Sequence, residues 1–175
     1  MFRRFDVCIW LFLVLNALYW VAVSALNTCA QGYFYLVVPA LFIVPAALYM
    51  NYVSMSIVVV FSAMASFSNA DVNPFLIAAV WLMAAWLVNV CRFRLRTGDY
   101  MTTVSVSLLV NMFLILCYAV ILPCGVYTAG EYVKRILVDA AASGLFILAV
   151  GNFCAKLPVC IMDYFGIDIT MNEEI

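Results

Sequence analysis

The sequence predicts an all-α, polytopic membrane helix bundle of about six transmembrane helices. Three observations carry that prediction. Of the 175 residues, 69% are hydrophobic and only 10% charged, with a mean hydropathy of +1.16, whereas a soluble domain is about 45–50% apolar and about 25% charged. The apolar residues are gathered into runs of the roughly 20 residues that a helix needs to cross a hydrocarbon core of about 30 Å. The stretches between the runs carry turn chemistry. The same composition excludes disorder, which requires low hydrophobicity and high net charge. A formal charge of −1 gives no electrostatic ground for a nucleic-acid partner.

Six spans are expected, at residues 7–26, 34–50, 53–67, 75–91, 103–122 and 136–155, all in one membrane domain. The first follows Arg3 and Arg4 and contains Asn16. Its apolar run, followed by Val23-Ser24-Ala25, has the outline of a signal peptide. It is longer than the usual h-region, however, and Asp6 sits in the charged flank, so it reads as a retained span. Near Asn51 and Tyr52 the second and third spans meet in a tight helical hairpin, or form a long bent pair with Pro39 and Pro45 kinking the incoming helix. The third ends at the polar run 68–74, the fourth at Arg92-Phe93-Arg94-Leu95-Arg96 and the fifth at the turn residues 123–130. The sixth opens on Asp139-Ala140-Ala141-Ala142-Ser143-Gly144, with Ala140 and Gly144 at the spacing that lets two helix backbones approach. Residues 156–175 read as a short cytoplasmic tail, with an interfacial turn around Tyr164-Phe165.

Orientation follows from the basic residues of short loops. With six spans, Arg3, Arg4, Arg92, Arg94, Arg96 and Lys156 share one side, against Lys134 and Arg135 on the other, six of the eight cations against two. Both termini are therefore expected on the cytoplasmic side. Arg92, Arg94 and Arg96 form a cytoplasmic basic loop suited to anionic headgroups, although the topology signal alone accounts for it.

Inside a bilayer, small residues and interhelical hydrogen bonds associate helices, since burial of apolar surface offers little there. Asn16, Asn111 and Asn152 lie within spans and need partners; Ser62 and Ser66 offer small polar groups. Asp139 is the one acidic residue inside an apolar span, at the i,i+4 spacing from Arg135 that favours a local ion pair. The alternatives are packing glue and a polar pocket, and a pocket requires the asparagines to converge on one cavity.

An enzyme is not expected. There is no histidine, which removes His-based acid–base catalysis, Ser-His triads and His metal sites. The seven cysteines form no C-x-x-C pair, so no zinc or thioredoxin-like motif arises. Cys29 and Cys124 share the outer side and are the one pair whose bridging is open. Phe67-Ser68-Asn69-Ala70-Asp71 and Gly151-Asn152 faintly resemble motifs of lipoprotein signal peptidases, but in reversed order and without the second carboxylate of the dyad. No phosphate-cradling or dinucleotide motif is present, and no cofactor or metal is expected.

The layout resembles that of MreD, the rod shape-determining membrane protein family of bacteria. The likeness rests on Val38-Pro39-Ala40-Leu41 in the second span, on Ser68 to Pro74 after the third, and on the Arg-x-Arg loop Arg92 to Arg96. It rests also on Lys134-Arg135 before the small-residue start of the last span. Against the family's pattern, the third span carries Met64-Ala65-Ser66 where glycines are expected. The resemblance implies a non-catalytic inner-membrane component of the cell-elongation complex. Its implied partners are membrane lipids, MreC, the MreB filament and the wall synthase of RodA with a class B penicillin-binding protein. An alternative is an S-component-like vitamin-binding subunit of an energy-coupling-factor transporter, an architecture MreD is similar to. Its Ala-x-x-x-Ala docking motif is missing from the first span, which offers Ala17, Ala22 and Ala25. Its pocket would draw on outer-side groups such as Asn27, Gln31, Tyr33, Asp71, Asn73, Tyr127 and Glu131. A further small membrane bundle of neither kind is the third possibility.

Overall fold

A computed structural model describes residues 2–30, 33–66, 73–92, 100–121 and 129–166. The described residues form six α-helices and no strand: α1 (Phe2–Cys29), α2 (Ala40–Tyr49), α3 (Tyr52–Ser66), α4 (Pro74–Cys91), α5 (Tyr100–Ile121) and α6 (Ala129–Tyr164). Four of them, α1, α4, α5 and α6, are long and apolar enough to cross a membrane.

Helix starts follow from local chemistry. Asn51 caps α3, its Oδ1 accepting from the Ser54 backbone N–H at 2.9 Å. Asn73 caps α4 in the same way, accepting from Phe75 N–H at 3.0 Å, with Pro74 as the first helical residue. Both place an amide oxygen on the orphan N–H groups of a first turn, and Pro74 supplies a residue with no N–H to satisfy. At the other end, α6 closes on Gly166, whose φ of 66° admits the left-handed turn that ends the helix. That turn falls beside the edge-to-face pair Tyr164–Phe165, where the sequence places a turn.

The helices pack as a ring in the order α1, α3, α4, α5, α6 and back to α1, and α2 touches all five. This explains the composition of α2. Its sequence ALFIVPAALY is apolar on every side, and Ala40, Ile43, Val44, Ala46 and Ala47 have no exposed surface, as expected for a helix enclosed by others. Phe42 stacks on Trp81 of α4, with ring centroids 5.9 Å apart.

The outer surface of the ring is equally apolar. Trp10, Val14 and Leu18 on α1, Trp86 and Leu87 on α4, Leu109, Leu116 and Val120 on α5, and Leu145 and Phe153 on α6 are all exposed. Exposed apolar surface on that scale is unmanageable in water but costs nothing against lipid tails. The molecule is an α-helical membrane bundle.

The second expected span is corrected. A continuous kinked helix over residues 34–50 does not form. Residues 34–38 are non-helical, and the helix begins only after Pro39. Two effects place the break: proline at 39 pushes Val38 out of the helical region, and Pro39 has no N–H to continue a ladder. Five residues at an extended rise of ~3.3 Å and ten helical residues at ~1.5 Å still sum to about 31 Å, the thickness of a hydrocarbon core. The sixth expected span is also longer than anticipated, since α6 runs through 36 residues into the expected tail. Pro158 lies inside it and leaves the Cys154 carbonyl without its helical donor; the Tyr19 hydroxyl donates to that carbonyl at 3.1 Å.

Candidate functional site

Non-helical backbone at membrane depth is tolerated only where protein satisfies its polar groups. Side chains from three helices do this for residues 34–38. Tyr35 N–H donates to Asp139 Oδ1 at 2.7 Å, and Val37 N–H donates to Ser143 Oγ at 2.8 Å. Leu36 faces α1, where Asn27 takes both of its groups: Leu36 N–H donates to Oδ1 at 2.6 Å, and Nδ2 donates to Leu36 O at 3.1 Å. Asn111 Nδ2 of α5 donates to Val37 O at 3.0 Å. The N–H groups of 35 and 37 point to α6 and that of 36 to α1, the two-residue alternation of an extended chain.

A second polar group closes the other end of α2. Asn89 Nδ2 donates to Ala47 O at 2.8 Å and to Met50 O at 3.2 Å, and Arg92 Nη1 donates to Met50 O at 2.8 Å. A cation at a helix C-terminus also complements the negative end of the helix dipole. The short central helix is thus held at both ends by side chains of the surrounding ring.

The expected site residues distribute as follows. Asn16 Nδ2 donates to Ser62 Oγ at 2.8 Å, joining α1 to α3. Asp139 pairs with Arg135 Nε at 3.2 Å, the expected i,i+4 contact, and in addition accepts from Tyr35. Asn152 Oδ1 is buried with no hydrogen-bond partner, as are the Oδ1 atoms of Asn89 and Asn111. Asn16 thus joins α1 to α3, while Asn111 serves the 34–38 segment. Ala140 is buried, but the expected close backbone approach at Gly144 is absent: a Cβ there would meet only the Leu108 side chain, at an ordinary 3.8 Å. Gly151 is the tighter position, where a Cβ would lie 3.2 Å from Ile147 Cγ2.

Arg92 is also corrected. It is the C-cap of α4, turned to Met50, rather than a loop residue. Arg94 and Arg96 lie outside the described residues, as do Cys124, Gln31, Asp71 and Tyr127; Cys29 is exposed. Among the described residues no group of three metal-ligating side chains forms.

Asn27, Asn89 and Ser143 were not anticipated as core ligands. Asn27 reads as a turn residue beside Thr28 and Gln31, and Asn89 as the frayed end of a span next to arginine. The usable signal is that each amide directly continues an apolar run, where an unpartnered amide is costly.

These features define an integral membrane bundle whose enclosed central helix, α2, follows a non-helical segment held by side chains of the ring. Comparison with protein-family models, with curated proteins and with solved structures finds no match for this chain.

Proposed function

We propose that this chain is a non-catalytic component of the bacterial cell-elongation complex in the inner membrane, and that it organises peptidoglycan synthesis by docking other spanning helices. The reading takes its identity from the likeness to MreD, and its partners are MreC, the MreB filament and the RodA–penicillin-binding-protein synthase. One observation supports it above the others: Asn16, Asn27, Asn89, Asn111 and Ser143 bond within the bundle, mostly to its own backbone, while the outward helix faces are apolar. Interior polarity committed to architecture suits a scaffold. On α1, the exposed Trp10, Val14, Ala17 and Val21 recur at alternating spacings of four and three, the seam geometry by which one helix receives another.

Depletion in a rod-shaped bacterial host carrying this gene, together with affinity purification from its membranes, tests the proposal. Rounded cells and co-purification of a bitopic coiled-coil partner are the expected results. A vitamin carried through purification in stoichiometric amount, with cell shape unchanged on depletion, would replace it with the transporter-subunit reading.

A further inference from the structure

Three polar side chains are buried where α5 and α6 meet the 34–38 segment. Ser107 and Asn111 of α5 are 2% and 1% exposed, and Ser143 of α6 has no exposed surface. Ser107 stands one turn before Asn111, on the same face of α5. Leu108 lies against Gly144, so this stretch of α5 runs beside Ser143.

Val37 brings two of the three side by side. Its N–H donates to Ser143 Oγ at 2.8 Å, and its carbonyl accepts from Asn111 Nδ2 at 3.0 Å. In an extended residue these two groups point to the same side, so the Ser143 hydroxyl and the Asn111 amide are neighbours. Each keeps an uncommitted atom there. Asn111 Oδ1 is buried without a donor. Ser143 accepts from Val37, but its own proton meets no acceptor among the described residues. Ser107 is the reverse case: its proton goes to Thr103 O at 2.9 Å, which leaves its oxygen able to accept.

An occupant that completes this set accepts one hydrogen bond, donates two and is small enough for side chains this deeply buried. It is also neutral. The three groups carry no charge, and Asp139, one turn before Ser143, is held by Arg135 and Tyr35 N–H, so a cation finds no free counter-charge. We propose that this junction is a binding site for one water molecule, which donates to Asn111 Oδ1 and Ser107 Oγ and accepts from Ser143 Oγ. Three hydrogen bonds to otherwise unpaired groups are the usual complement of a buried water. Packing between the two helices is not tight at this level, since a Cβ on Gly144 would meet only the Leu108 side chain, at 3.8 Å. The water ties α5 and α6 to the backbone break through one exchangeable partner. The inference goes beyond the proposed function and does not rest on it.

The test is water-edited solid-state NMR of the full-length chain in lipid vesicles with 15N-labelled asparagine. Asn111→Gln and Asn16→Gln assign the two side-chain signals that matter. Asn16 is the internal control, because its amide donates directly to Ser62 Oγ at 2.8 Å. Water magnetisation is expected to build up at Asn111 Nδ2 several-fold faster than at Asn16 Nδ2. Ser107→Val, which replaces the accepting oxygen by a methyl and adds another, is expected to bring Asn111 down to the Asn16 rate. Helical circular dichroism and an unshifted Asn16 signal identify a folded sample. The milder Ser107→Ala, expected to slow the transfer by less, serves where valine disturbs the fold. Slow transfer at Asn111 in the wild type overturns the assignment, because Ser143 then donates directly to the amide. So does fast transfer that survives a folded Ser107→Val. An Asn111 shift that appears with sodium in the buffer and not with choline assigns a cation to the site and overturns it as well.

Discussion

Asp139 shows how one residue can be both anticipated and misjudged. The spacing to Arg135 identifies the ion pair, but its second oxygen holds the backbone of Tyr35, which lies 104 positions away in sequence. Replacing Asp139 by Asn keeps an acceptor for Tyr35 and removes only the charge, whereas Leu leaves a backbone N–H without a partner. An unsatisfied buried donor costs about 1–3 kcal/mol, while interhelical side-chain bonds in membranes average about 0.6 kcal/mol. Tyr35 is exposed, so the loss falls below the buried figure: Asp139→Leu is expected to lower stability by about 1 kcal/mol or less and Asp139→Asn by less still, measured by unfolding in mixed micelles with increasing SDS. Asn27→Leu removes two bonds to Leu36 and is expected to exceed Asn16→Leu, which removes the one to Ser62. Equal losses would mean that the non-helical segment does not depend on its side-chain partners. Gly144→Ala is expected to be neutral, because the added methyl meets Leu108 at an ordinary contact distance.

At the scale of elements, four of the six helices, α1, α3, α4 and α5, fall close to where apolar runs and turn residues put them, because lipid imposes length and composition at once. Asn73-Pro74 is legible as a helix start, since caps act within a few residues, and Tyr164-Phe165 as a turn, although not as the end of a helix that runs on from the sixth span. The break in the second apolar run was not legible. Pro39 and Pro45 are both prolines inside an apolar run, and local chemistry does not distinguish which will break the helix. The difference is tertiary: Asn27, Asn111, Asp139 and Ser143 surround residues 35–37 and replace the missing helical bonds, whereas Pro45 sits inside α2. Enclosure of α2 gives a second prediction. Ala47 has no exposed surface, so Ala47→Leu is expected to destabilise by about 1–3 kcal/mol through overpacking, against little change for Ala17→Leu on the exposed face of α1. The latter substitution instead probes the proposed docking seam: Ala17→Trp is expected to weaken co-purification of a partner while leaving the unfolding midpoint near wild type. Unchanged co-purification would place docking on another face.

For the whole molecule, the ring of five around one enclosed helix accounts for a hydropathy too uniform to yield inward and outward faces from sequence: α2 is apolar because protein surrounds it, and the ring because lipid does. Orientation is open to direct measurement. Cys29 ends α1 at one end of the bundle, while Cys91 and Cys160 lie toward the other, and all three are exposed. Both termini inside predicts that an impermeant maleimide reaches Cys29 from outside intact cells and Cys91 and Cys160 only after lysis; the reverse pattern would invert the topology. The account as a whole depends on side chains of α1, α5 and α6 holding a non-helical strip of backbone within the membrane. Amide hydrogen exchange across residues 34–38 in nanodiscs tests it most directly. Protection in wild type comparable to that of α2, lost around Tyr35 in Asp139→Leu and around Leu36 in Asn27→Leu, is the predicted result. Exchange at the rate of an unstructured peptide in the wild-type protein contradicts it.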